Sequence, residues 1–420
     1  MILSFLRCGW LLAVGLSLGA VDAARGDWPQ HLGPDRNGTA PGGSPIPWPT
    51  AGPGTVWKAE VGSGFSGPVV AGDLVLLHHR REDREILEAF DRATGKSRWQ
   101  ATQTTGYTDD FGFDDGPRGT PCIAGEWVYT FGAEGRLSAV RLLDGKPGWT
   151  VPLGKETKAD KGFFGFACSP LVVSNRVIVQ LGGEDGAGVV ALDVVSGKRV
   201  WKSTEDEAGY ASPVVGQFGG QQRIVAFNRA GVRLLDPSDG KVLAALPWRS
   251  RQQASVNAAT PLVGADGIFV TSSYNAGAGL LRWSSGGAIE PVWTNDDTLS
   301  AHISSPVRRG NWIFGFHGRQ EQGAALHCIE ASTGRLQWES PRSGVGSVLL
   351  AGQTLVVLLE SGELILAEAS GESWKPLCRA QILGSGVRAG PALAGDLFLA
   401  RDRRQLVAVR LPREPVGQRP

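Results

Sequence analysis

No sign of charge prevails in this chain of 420 residues, in which 42 lysines and arginines stand against 41 aspartates and glutamates. Nucleic acid and anionic membrane surfaces are bound through an excess of basic groups, so neither is indicated as a partner. Histidines number six and are scattered. His78 and His79 are neighbours, but adjacent residues of a strand point to opposite faces, so no metal site is expected from them. There is no CxxCH pair for haem attachment and no serine in G-x-S-x-G, and no catalytic residue emerges. Long hydrophobic runs are missing too. The N-terminal apolar run, 9–21, falls short of the roughly 20 residues that span a membrane, so no integral span is expected. Arg7 ahead of that run, with Ala20, Ala23 and Ala24 at its end, has the layout of a secretory signal peptide cleaved after Ala23. The mature chain is then soluble and exported, periplasmic or secreted. Cys8 precedes the run and would be lost with it, leaving no lipid-attachment cysteine. Asn37-Gly38-Thr39 is a glycosylation acceptor only in a eukaryotic pathway.

What the chain has in quantity is glycine and proline, 59 and 25, together one residue in five. That disfavours long helices and suits many short strands joined by turns. The turns repeat. AFDRATGKSRW at 89–99 returns as AVRLLDGKPGW at 139–149, ALDVVSGKRVW at 191–201 and CIEASTGRLQW at 328–338, with looser copies at 234–248 and 280–293. Asp91 and Thr94 can bond the local backbone and Gly95 can take a positive φ, which sets a hairpin turn, and Trp99 then gives the unit something to bury. Each unit opens on a small residue and proline: Gly67-Pro68, Thr120-Pro121, Ser169-Pro170, Ser212-Pro213, Thr260-Pro261, Ser305-Pro306 and Gly390-Pro391. An eighth start, Ser347-Val348, lacks the proline.

A period in the forties, built of strands and turns, is the signature of a β-propeller. Eight starts predict an all-β, eight-bladed propeller of four-stranded blades. The last unit, 389–411, stops after three strands, and Thr55 to Val61 carries Trp57 where a fourth strand carries its tryptophan. The two ends therefore complete one blade and close the ring, removing a free edge. The expected organisation is a signal peptide at 1–23, an extended proline-rich arm at 24–51, one propeller at 52–413 and a tail at 414–420. Trp57, Trp99, Trp149, Trp201, Trp248, Trp293 and Trp338 are expected to dock between blades, each burial contributing at most ~5 kcal/mol.

The A-x-D-x-x-T-G-x-x-W turns resemble the tryptophan-docking repeats of pyrroloquinoline-quinone-like (quinoprotein-type) propellers. WPQHLGP at 28–34, GPRGTP at 116–121, AGYASPV at 208–214, NAATPLV at 257–263 and ARDRRQLV at 400–407 are similar to the exported bacterial subgroup of BamB-like, PQQ-like repeat proteins. The resemblance covers nearly the whole mature chain and implies eight blades and, for BamB-like members, a non-enzymatic interaction role. Quinoprotein dehydrogenases of the same fold use a vicinal disulfide, a calcium and an Asp base. Cys122, Cys168, Cys328 and Cys378 include no adjacent pair. Pyrroloquinoline quinone and calcium are thus the alternative cofactors, and a dehydrogenase the alternative function, to a scaffold with no cofactor and no metal. The partner is a protein or a small ligand, and the chain is expected to be a monomer.

GSGFSG at 62–67 fits GxGxxG but precedes a strand, which leaves no helix N-terminus for a phosphate. The acidic loop from Asp109 to Gly116 lacks EF-hand spacing and reads as solvated. Cys122 and Cys168 flank strand-opening prolines of consecutive units, so a disulfide between them is left open, whereas Cys328 takes the slot of Ala89, Ala139 and Ala191 and packs as a small apolar group. The loops entering each unit are expected to gather at one mouth of the central channel, bringing together Asp110, Asp114, Asp115, Arg118, Tyr210, Asn257, His302 and Arg388 as a ligand or partner site. Arg118 is expected to bind the carboxylate of Asp114 or Asp115, or an acidic group of a partner.

Overall fold

The computed structural model describes residues 26–252, 256–284 and 286–415; the expected signal peptide lies outside them. Eight antiparallel sheets form the blades of a propeller: residues 69–104, 122–152, 171–203, 214–247, 262–295, 307–339 and 346–381 make blades 1 to 7. Blade 8 consists of Ala392–Ala394, Leu397–Arg401 and Gln405–Arg410 with Gly54–Glu60 as its outer strand. The ring is therefore closed by the N-terminal strand.

The repeated turn works through its side chains. Asp91 Oδ1 accepts the Thr94 N–H at 2.9 Å and the Thr94 hydroxyl at 2.8 Å, and the Gly95 N–H returns to the Asp91 carbonyl at 2.8 Å. In the outer strand the register then slips by one residue, so that Ala89 faces Trp99 while Phe90 faces Ser97. This bulge re-aims the indole out of its own sheet toward the next blade. There it covers the turn glycine: Trp57 lies on Gly95, Trp99 on Gly145, Trp149 on Gly197, Trp201 on Gly240 and Trp293 on Gly334. Four of these indoles also donate to the carbonyl three residues before that glycine, namely Arg92, Val194, Pro237 and Ala331, at 2.9 to 3.1 Å. Trp338 donates to Ser370 O at 2.8 Å.

Two blades depart from this scheme. In blade 4 the bulge position facing Leu234 is Ala244, and Trp248 stands beyond the strand, its ring on Gly279 of blade 5. Trp248 still packs between blades 4 and 5, but away from the turn glycine, because the longer run from turn to tryptophan carries the indole past that slot. In blade 7 the slot holds Cys378 facing Leu366, and Trp48 of the arm lies alongside with its N–H 3.5 Å from Arg379 O. Cys328 faces Trp338 in the Ala slot, fully buried. Cys122 and Cys168 are both free thiols, directed to Gln30 Oε1 and Gln180 O respectively.

The proline-rich arm is extended, but it does not lie outside the ring. Trp28 pairs with Val70 of blade 1 in both directions, and Pro29 O accepts the Ile123 N–H of blade 2. Thr39–Ala40 then adds a fifth, parallel strand to the inner edge of blade 7. Between these points Arg36 is buried and donates to Ser169 O and Pro170 O of blade 3 at 3.0 and 2.9 Å and to Gln30 Oε1 at 3.0 Å. Burial lowers its guanidinium to about 10, which leaves it charged. Its backbone partners hold the arm across the channel.

Candidate functional site

The inner strands begin in a hydroxyl girdle. The Gly67 N–H donates to Thr120 Oγ1, Thr120 N–H to Ser169 Oγ, Ser169 N–H to Ser212 Oγ, Ser212 N–H to Thr260 Oγ1 and Thr260 N–H to Ser305 Oγ, at 2.9 to 3.3 Å. The small residue before five of the seven strand-opening prolines is therefore a hydroxyl for a reason. It satisfies a backbone donor of the preceding blade that has no ladder partner. The girdle and the mouth above it enclose one axial cavity of about 440 Å³, floored by Trp28, His31 and Leu32 of the arm. His31 accepts or donates at Thr260 Oγ1 (3.2 Å), and burial holds its imidazole down at about 3, so it is neutral.

Above the girdle the channel widens into a mouth lined by Arg118, Tyr210, His302 and Arg388. Arg118 is held inside its own loop. Its Nη2 meets Asp109 Oδ2 at 2.5 Å and Asp114 O at 3.1 Å, both side chains of the ion pair being at most 9% exposed. The carboxylate is thus Asp109, and the expectation of Asp114 or Asp115 is corrected: those two carboxylates accept the N–H groups of Gly116 and Asp109, both at 2.7 Å, and so close the loop on itself. Asp110 pairs with Lys161 at 2.7 Å on the outside. Asn257 is also displaced from the cavity wall. Its side-chain amide donates to Asn228 O and Trp248 O at 2.8 Å, and its own carbonyl accepts the N–H groups of Tyr210 and Ala211, a buried clasp between loops.

Arg388 Nε donates to Glu360 Oε1 at 2.8 Å, and the Gln320 amide braces the same carboxylate. The Tyr210 hydroxyl accepts the N–H groups of Phe163 and Phe164, both at 3.0 Å. His302 sits edge-on to Tyr274, with Nε2 3.5 Å from the phenol and a buried Nδ1 that has no partner; burial lowers its pKa.

The aromatic lining was not foreseen. Phe111 contacts Phe113, Phe163 and Phe164, with ring centroids 5.3 to 6.4 Å apart. Phe65 lies between two guanidinium groups, Arg118 at 5.4 Å and Arg388 at 5.6 Å. The GSGFSG segment serves to place this ring: the N–H groups of Phe65 and Ser66 both donate to Pro117 O, and Gly64, at φ 127°, allows Pro117 to approach. A signal was present in DDFGFDDG and GFFGF, where phenylalanines flanked by glycine and acid have no strand to pack against.

The chain belongs to the family described as outer membrane protein assembly factor BamB, whose model matches residues 42–101, 83–321 and 290–413. It is 24% identical over 358 residues to the outer membrane protein assembly factor BamB of Burkholderia pseudomallei, covering 73% of this chain and 86% of that protein. Among solved structures it resembles BamB from Moraxella catarrhalis, with TM-score 0.62, 14% identity and coverage of 85% of this chain and 97% of that one. It also resembles a quinohemoprotein alcohol dehydrogenase from Pseudomonas putida HK5, with TM-score 0.59, 13% identity and coverage of 95% and 83%.

The dehydrogenase likeness raises the question of whether the cavity fits pyrroloquinoline quinone, an aromatic tricarboxylate. The fit fails on charge. The two guanidinium groups of the mouth are matched by Asp109 and Glu360, and Glu321 adds a third carboxylate to the lining. Three further carboxylates would find no unpaired cation among the lining residues. No cysteine lines the cavity, and no cluster of metal-ligating side chains occurs among the described residues.

Proposed function

We propose that this chain acts after export as a non-catalytic binding scaffold whose aromatic channel mouth receives a protein partner. One observation carries this reading. Phe111, Phe113 and Ile303 stand 56, 42 and 52% exposed around the mouth, and the two phenylalanines continue into the Phe163 and Phe164 rings. Clustered exposed apolar side chains on an otherwise charge-balanced surface mark interaction sites. Membership of a family named for an assembly factor supports a partner that is itself a protein. Leu143 and Val195 are also exposed, but each is a single turn tip on a blade. They supply the control. A photo-crosslinking amino acid at Phe111 or Ile303, expressed in the native host, is expected to trap a discrete partner, whereas the same group at Leu143 or Val195 is not. Equal trapping at all four positions would refute the assignment. Addition of pyrroloquinoline quinone and calcium is expected to give no dye-reducing alcohol or sugar dehydrogenase activity, and turnover would instead establish the dehydrogenase reading.

A further inference from the structure

Beneath the mouth, the axial cavity has features that a partner seated on the rim does not use. We propose that it is a binding site for an uncharged, largely aromatic small molecule that presents ketone or ether oxygens to the hydroxyl girdle. Together with the mouth it encloses about 440 Å³, which falls within the range of sites that enclose a small organic ligand.

The direction of its polarity follows from the girdle. Each hydroxyl of Thr120, Ser169, Ser212 and Ser305 already accepts a backbone N–H. A hydroxyl has one proton as well as its lone pairs, so what each of these has left to offer the cavity is chiefly a donor. A ring of donors suits acceptor oxygens. Those oxygens are uncharged, since both guanidinium groups of the lining are already paired, with Asp109 and Glu360, and Glu321 adds a carboxylate, so a buried carboxylate or phosphate would find no unpaired cation in the lining and its transfer from water is costly. The rest of the ligand meets the rings of Phe65, Phe164, Tyr210 and Trp28. Aromatic ligands gain there from offset and edge contacts in addition to burial. The buried Nδ1 of neutral His302 gives the upper end of the cavity one unpaired polar atom.

The test uses the purified mature chain and two naphthalene dyes that differ in charge. Prodan is neutral and carries a ketone whose emission reports its surroundings, and anilinonaphthalene sulfonate is an anion. Prodan is expected to bind saturably, one per chain, with blue-shifted emission, and at least tenfold more tightly than the sulfonate. Ala258→Phe, which places a ring in the cavity, should weaken Prodan at least tenfold with an unchanged melt. A sulfonate that binds as well as Prodan, non-saturable binding, or full affinity in a folded Ala258→Phe protein would each overturn the proposal. Should that variant not fold, benzophenone, a neutral aromatic ketone, is photoactivated on the unaltered chain. Adducts on the peptides holding Phe164 to Ser169 or Tyr210 to Ser212 support the site, and adducts confined to other surfaces overturn it. Neither dye binding nor photolabelling depends on a partner, so this proposal and the rim assignment fail separately.

Discussion

At the scale of single residues, the Arg118–Asp109 pair shows how an acidic loop can carry one structural charge among several surface ones. Both side chains are withdrawn from water, and the guanidinium is also covered by Phe65, Tyr107 and Phe164 at 5.4 to 5.8 Å. Removing one member of such a pair leaves the other buried and uncompensated. Arg118→Ala or Asp109→Ala is therefore expected to lower unfolding free energy by about 3 kcal/mol, whereas Arg118→Met with Asp109→Asn together should recover most of it. Urea melts of the three proteins decide the matter: additive losses would mean the pair is not coupled. Asp110→Ala, which breaks only the exposed contact to Lys161, should change stability by less than about 1 kcal/mol. The choice of Asp109 was not legible in the sequence. Four acids within seven residues offer Arg118 equivalent chemistry, and only the backbone path, which turns Asp114 and Asp115 onto N–H groups, selects among them.

At the scale of the repeating element, the Trp-on-glycine contact joins blade to blade, and it predicts unequal costs for substitutions that look alike. Gly197 and Gly125 both have positive φ, 67° and 59°. A methyl group on Gly197 would lie 2.5 Å from the Trp149 ring, while one on Gly125 meets nothing within 4 Å. Gly125→Ala should therefore cost only backbone strain, about 1 to 2 kcal/mol. Gly197→Ala adds displacement of the indole and should cost roughly 1 to 3 kcal/mol more. Thermal melts showing equal losses would mean the indole moves aside freely. The repeat itself was legible because three chemically demanding features, the Asp-Thr-Gly turn, the tryptophan and the strand-opening proline, recur in phase. The exact slot of Trp248, on Gly279 instead of a turn glycine, was not legible because spacing along the chain cannot reveal that Ala244 has taken the bulge position. The mouth was half legible: charged and polar residues were found by type, while Phe65, Phe111 and Phe164 escaped because phenylalanine in a repeat protein is ordinarily core.

At the scale of the whole molecule, two properties depend on the ring being complete. Deleting 54–60 removes the outer strand of blade 8 and with it Trp57, which covers Gly95 of blade 1. The shortened chain is expected to aggregate or to lose its single cooperative transition, and a melt like that of the mature chain would rule out the closing role. The second property is sensitivity to acid. All six histidines are held below the ordinary imidazole range, in each case chiefly by burial, with His31 and His78 at about 3. The unfolded chain protonates them from pH of about 6.5 downward and the folded chain only at lower pH, so stability is full above about 6.5 and falls as acid is added. For His78, 4% exposed, the loss approaches about 1.4 kcal/mol per pH unit between 6.5 and 3. Urea midpoints should be level above neutrality and fall steadily in mild acid; a level profile throughout would show that the imidazoles are charged in the folded state.

The path of the arm has a consequence for the order in which this chain can be finished. Trp28 through Ile46 and the strand 54–60 are translated before any blade is whole, yet Thr39 and Ala40 rest on Leu350 and Ala351, Ile46 on Pro412, and the closing strand on Gln405–Arg410. Ile46 and the closing strand thus wait for residues near the end of the described chain. A nascent chain that has not yet released residues 405–412 has no seal to its ring, so the strand at 54–60 stays unpaired until those residues arrive.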